Sequence, residues 1–272
     1  MTSKILPQPD TGTDDLSENL CRIFMFSNPS DAMQDAGSAE SYSSANGAMS
    51  ALTLNIAGDE LYQAGNVNGA AEAFQKALLL DPSDANMHNS LGVCYGVLKM
   101  YEAAEAEFHA AIALEPDETM ALYNTGVIYL LTDRRESALV YLLKAWAVDD
   151  GVFEVALLVG KLYLESGEPQ QARFFLEKAL DFRPNSGNAL RTLAACYASL
   201  EMPRDAAALY SRAVKLNPQD AESFSMLGRL YNVIGENPEI ALLFCRQSVA
   251  IAPENEIYRQ RLDKLLVEIK RS

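Results

Sequence analysis

Leu61, Tyr95, Tyr129, Tyr163, Tyr197 and Tyr231 stand 34 residues apart, and this fixed step limits the fold more than any other feature of the 272-residue chain. A period of this size marks an array of stacked supersecondary units, each unable to bury its apolar face alone. Further columns keep the step. One runs Gly58, Gly92, Gly126, Gly160, Ala194, Gly228, and a small-residue column runs Ala70, Ala104, Ala138, Ala172, Ala206 and, one residue late, Ala241. A large-residue column holds Phe74, Phe108, Leu142, Leu176, Tyr210 and Cys245, followed by Ala77, Ala111, Ala145, Ala179, Ala213 and Ser248. The last column is Pro82, Pro116, Asp150, Pro184, Pro218 and Pro253, so the third unit lacks its proline.

The columns have physical reasons. Gly or Ala in a first helix lets a second helix approach closely, Tyr fills the space between neighbouring units, and Pro cannot continue the preceding helix. The pattern resembles the tetratricopeptide repeat family over about residues 51–253, a helix-turn-helix unit of 34 residues. The Trp often found four residues before the Gly column is replaced by Leu54, His88, Leu122, Ala156, Leu190 and Phe224. The resemblance implies an all-α, right-handed superhelical solenoid of antiparallel helix pairs. Six repeats are expected, at 51–84, 85–118, 119–152, 153–186, 187–220 and 221–254 or 255, read as one solenoid with a tail. Turns are read at Gly65-Asn66, Gly167-Glu168-Pro169, Glu201-Met202-Pro203 and Gly235-Glu236-Asn237-Pro238, the last absorbing the inserted residue. Residues 255–272 read as a capping helix with Ile257, Tyr258, Leu262, Leu265, Leu266 and Ile269 on its apolar face.

Residues 1–50 differ in composition, with nine serines and seven acidic residues, and read as a largely disordered tail. Their exception is an apolar patch at 20–26, expected to pack on the first repeat or to dock in a groove of this chain or of a partner. The net charge of −15 repels phosphate backbones and anionic head groups, which disfavours nucleic acid as a partner. No apolar run approaches the ~20 residues that span a bilayer. The four cysteines, Cys21, Cys94, Cys196 and Cys245, lack ligand spacing and read as packed free thiols of a reducing, cytoplasmic compartment. Cys21 follows Glu18, Asn19 and Leu20 rather than the small residues of a lipoprotein cleavage box, a feature that tetratricopeptide proteins of pilus assembly often carry.

Enzyme motifs are absent: there is no GxGxxG between strand and helix, no Walker loop and no HExxH, and no cofactor or metal is called for. His88 and His109 read as structural imidazoles, and the Asp149-Asp150 pair as helix caps. The family resemblance implies a concave groove lined by the first helix of each unit, with peptides or protein segments as ligands. By register with the Gly column, the expected groove residues are Tyr62, Asn89, Val93, Tyr123, Asn124, Val127, Leu130, Leu157, Lys161, Leu164, Asn188 and Arg191. Gly96 and Asp59 fall on the same inner face. Apolar side chains suit apolar groups of an extended or helical client, and Asn amides offer a donor and an acceptor to its backbone. The carboxylate clamp of some family members is not matched, since Asp59 and Met120 stand among the expected basic and amide positions. The leading expectation is a non-catalytic adaptor or chaperone, with resemblance to chaperones of type III secretion translocators, which have about three repeats. The alternatives are a structural subunit of a secretion or pilus machine, favoured by exposed apolar residues on second helices, and a regulatory arm of a separate enzyme. Self-association is left open.

Overall fold

The computed structural model describes Phe24, residues 50–235 and residues 237–271, the side chain of Arg271 excepted. These residues form helices and no strand. They divide at Asp150 and Gly151 into two compact units, described in turn below. The division falls at the junction where Asp150 replaces the repeat proline. Beyond Phe24, the tail and the 20–26 patch lie outside the described residues.

The first unit contains α1 (Ala51–Gln63), α2 (Val67–Leu80), α3 (Ala85–Val97), α4 (Tyr101–Leu114), α5 (Thr119–Leu131) and α6 (Arg135–Val148). Consecutive helices pack as three hairpins, with α2 on α3, α4 on α5, and α3 touching α5. At Gly92 an added Cβ would lie 2.6 Å from Cε1 of Phe108, which is why the first column stays small where α3 crosses α4. Tyr95 and Tyr129 each reach back 20 residues to the second helix of the preceding repeat. Gln75 donates to the Tyr95 hydroxyl at 2.5 Å, and the Tyr129 hydroxyl lies 3.3 Å from Nε2 of His109. Arg134 holds Glu105 through two bonds of 3.0 and 2.6 Å and lies 4.2 Å above the Tyr129 ring. That pairing keeps the Glu105 carboxyl below its usual range.

The second unit contains α7 (Phe153–Glu165), α8 (Pro169–Phe182), α9 (Gly187–Ser199), α10 (Pro203–Leu216), α11 (Ala221–Ile234), α12 (Pro238–Ile251) and α13 (Glu256–Arg271). Pro169, Pro203 and Pro238 open second helices, where a missing N–H costs nothing. The Tyr197 hydroxyl repeats the 20-residue reach and donates to Glu177 at 2.9 Å. Helix α13 packs on α11 and α12, burying Leu265 with Ala241 and Cys245, while Leu262 and Ile269 flank them. Ile257, expected on the packed face, is exposed.

The turns inside the hairpins share one device. Gly65, Lys99, Asp133, Gly167, Glu201 and Gly235 have φ between +56° and +80°, again at a step of 34. The inserted residue falls after Gly235, since α12 begins three residues later rather than two. First helices are capped by side chains of Ser50, Asp84, Glu118, Ser186 and Asp220. Helix α7 differs. Its N-cap is Val152, without a side-chain bond, and Asp149 instead ends α6, so the Asp149-Asp150 pair does not cap the following helix. The junction has the same four residues as its neighbours, and its N-cap position, in register with Asp84 and Glu118, is Val152, so both carboxylates stand too early to cap.

Candidate functional site

In α3, Asn89, Val93 and Gly96 recur at i, i+4 and i+7 and therefore share one face. In α5, Tyr123, Val127 and Leu130 repeat that arrangement. The two faces are joined by a buried amide pair, in which Asn124 Nδ2 donates to Asn89 Oδ1 at 2.8 Å. An open groove would expose these positions, yet Asn89, Val93, Asn124 and Val127 are fully buried and Tyr123 nearly so, a correction to their expected exposure. Tyr62 and Leu130 keep intermediate exposure. The packing of α3 against α5 closes this face.

The described residue seated on α3 is Phe24. It is 6% exposed, and its ring centroid lies 6.2 Å from that of Phe108 at an interplanar angle of 30°. Gly96 makes the seat: a Cβ at this position would fall 2.5 Å from Cζ and 2.7 Å from Cε2 of Phe24. The ring is thus held in a shallow pocket floored by a backbone without a side chain and walled by another aromatic ring. Such aromatic pairs stabilise by about 1 kcal/mol beyond their buried area. Sequence reading located the apolar patch and placed Gly96 on the inner face. It had no means of pairing the two, because they are 72 residues apart and belong to no shared period.

Asp59, on the inner face of α1, is half-buried, and desolvation pushes its carboxyl up to about 6. Glu118 accepts from the Ala121 N–H at 2.6 Å, and burial pushes its carboxyl to about 7. His88 faces Glu107 at 2.6 Å and the Pro82 carbonyl at 3.2 Å, and His109 stacks on Tyr141 with centroids 5.8 Å apart. Both imidazoles are engaged in packing and hydrogen bonds. The thiols of Cys94, Cys196 and Cys245 are free and buried, and burial raises all three, to about 12 for Cys94 and about 11 for Cys196. Raised thiol pKa values make poor nucleophiles.

In the second unit the expected residues are arranged differently. Leu157 is buried, whereas Lys161, Leu164, Asn188 and Arg191 remain partly exposed. Arg191 is engaged with Asp220 at 3.3 Å, and Asp220 also caps α11. A cationic neighbourhood lies between α11 and α13, where Arg261, which the sequence reading did not place, joins Arg229. Burial, then the nearby Arg261, lowers the Arg229 guanidinium, and Arg261 donates to Ser225 Oγ at 2.6 Å. Its signal in the sequence was faint, because Arg261 stands beyond the last regular repeat.

Among the described residues no helix is long and apolar enough to cross a membrane, and no group of His, Cys, Asp and Glu is placed to hold a metal ion. Three repeat models match the sequence: tetratricopeptide repeat models over residues 98–151 and 163–230, and a TPR repeat model over residues 58–96. No curated protein matches. Solved structures do. YrrB, described as a TPR protein with an unusual peptide-binding site, is 23% identical with a TM-score of 0.67, over 71% of this chain and 99% of that one. PilF of Pseudomonas aeruginosa is 24% identical with a TM-score of 0.66, over 80% and 97%. MamA of Desulfovibrio magneticus, from residue 41 to its end, is 19% identical with a TM-score of 0.57, over 64% and 99%. These likenesses concern the fold. Helix pairs at a 34-residue step, the columns that pack them and the three matching models agree: the chain belongs to the tetratricopeptide repeat family.

Proposed function

We propose that this chain is a non-catalytic interaction module, an adaptor or chaperone that holds a peptide or an extended protein segment against the inner faces of its first helices. The observation that carries the reading is the composition of the inner face of α3 and α5. Apolar Val93 and Val127 flank a buried amide pair, and the ring of Phe24 already rests on that surface. The buried valines and amide pair hold α3 against α5, and the client contact falls on the partly exposed Tyr62 and Leu130 in the first unit and Lys161, Leu164 and Asn188 in the second. The peptide-binding site named for the similarly folded YrrB supports the same use of the fold. The net charge of −15 favours basic or neutral clients over nucleic acid. The three free, buried thiols support a reducing cytoplasm as its compartment. A secretion chaperone is one form of this module.

The test is affinity capture from the native host lysate with the wild type beside Leu130→Glu combined with Leu164→Glu. Both positions are partly exposed, so helicity by circular dichroism stays unchanged. An abundant partner lost in the variant is the expected outcome, and an unchanged partner set would reject the inner face.

A second reading, an assembly subunit, has one observation in its favour. Leu80, Leu114, Val148, Phe182 and Leu216 end successive second helices and are 58%, 42%, 42%, 39% and 49% exposed. Within the first unit, Leu80, Leu114 and Val148 recur at a regular step that suits a permanent neighbour, and PilF, similar in fold, carries the name of a pilus protein. Glu at Leu80 and Leu114 in the same capture experiment removes partners on this reading alone.

A further inference from the structure

We infer that the Phe24 seat on α3 is a phenyl-accepting site for a client segment carrying phenylalanine, and that Phe24 is its built-in competitor. The inference rests on the inner-face reading above and adds to it the chemistry of the client and the means of control.

Three observations carry it. The floor of the seat is Gly96, the sole residue of the α3 inner face without a side chain to fill the space, and an added Cβ there would meet the ring at 2.5 Å. The wall is Phe108, which offers an aromatic face rather than a polar group. The occupant, Phe24, is buried to 6% exposure although it lies 27 residues before the start of α1, outside the repeats whose period builds the core. The array packs its own helices without needing a ring at Gly96, since Gly92 already receives Phe108 one turn earlier. A seat shaped for a phenyl ring and filled from outside the periodic core is open to any segment that offers the same ring. An occupant tethered to the chain then lowers the apparent affinity for such a segment by the fraction of time the seat is free.

The probe is a fluorescein-labelled synthetic peptide of residues 18–30 with Cys21→Ser, added to the full chain and followed by anisotropy. Phe24→Ala in the full chain empties the seat, so the peptide is expected to bind at least about tenfold more tightly than to the wild type, as for a seat about nine-tenths occupied. A peptide in which Phe24 is itself replaced by Ala is expected to lose that binding. Gly96→Ala added to the Phe24→Ala chain is expected to abolish it too, and Ala in place of a helical Gly favours the helix, so misfolding does not imitate the effect. Circular dichroism checks that each variant keeps its helices, and light scattering checks that the wild type is not a dimer exchanging Phe24. Equal peptide binding to wild type and Phe24→Ala, binding that ignores the peptide's Phe24 or Gly96→Ala, or a dimer that separates on Phe24→Ala would each overturn the inference. Because the probe comes from the chain itself, such a failure leaves the capture experiment untouched, and a failure of that experiment leaves this one interpretable.

Discussion

At the scale of single residues, the protein places polar groups where the repeat period alone would not predict their surroundings. Asp59 illustrates the cost. Its carboxyl titrates near 6 in the folded chain because burial disfavours the charge, against about 3.9 in an unfolded chain. The folded state therefore keeps a proton that the unfolded state has released between those values. Stability tied to that proton is full below about pH 4 and is lost as pH rises through 6. Asp59→Asn is expected to raise stability by roughly 1 kcal/mol at pH 7, allowing for solvent screening, and to change little at pH 4. Urea unfolding at the two pH values reads the difference, and an equal gain at both would contradict the desolvation argument. The residue scale is also where sequence reading fell short. Positions such as Asn89, Val93 and Tyr123 were found by counting from the glycine column, but counting says which face a side chain joins and not what covers it. The pairing of Asn89 with Asn124 and the seat of Phe24 on Gly96 are long-range contacts without a period, and only packing brings them together.

At the scale of elements, the period did most of the work. Tyr95 against Gln75 and Tyr197 against Glu177 are one contact repeated three units apart, and Gly92 against Phe108 repeats Gly58 against Phe74, because the columns recur. Helix starts at Pro169, Pro203 and Pro238 follow ordinary helix-end chemistry and were legible as turns for that reason, whereas the caps at Asp84, Ser186 and Asp220 went unread and the one cap expected, at Asp149-Asp150, is not made. The left-handed residue in every hairpin turn was not legible in half the repeats, because Lys99, Asp133 and Glu201 occupy it where Gly65, Gly167 and Gly235 stand in the others. A non-glycine residue at positive φ is strained by about 1 kcal/mol or more, partly offset by its smaller loss of backbone freedom on folding. Lys99→Gly and Glu201→Gly are each expected to stabilise by about 0.5 kcal/mol, with no change in helicity. Thermal melting checks this, and destabilisation by either substitution would show that the turn depends on the side chain rather than on φ.

At the scale of the molecule, the sequence foretold an all-α tetratricopeptide superhelix, and the successive helix pairs and matching repeat models agree with it. The two compact units meet in sequence at Asp150, which stands in the proline column, beside a helix start that lacks a side-chain cap. Each unit has its own three helix pairs and its own inner face. The first is apolar with a buried amide pair and a phenyl seat, and the second carries Lys161, Arg191 and Arg229 amid leucines. The central claim is that a client lies on these inner faces. Side-chain footprinting of the full chain, alone and with its captured partner, tests this most directly. The account predicts that labelling falls at Tyr62, Leu130 and Leu164, while Leu80, Leu114 and Leu216 at the ends of the second helices are labelled as before. Protection of those second-helix leucines, with Tyr62, Leu130 and Leu164 unchanged, would contradict it.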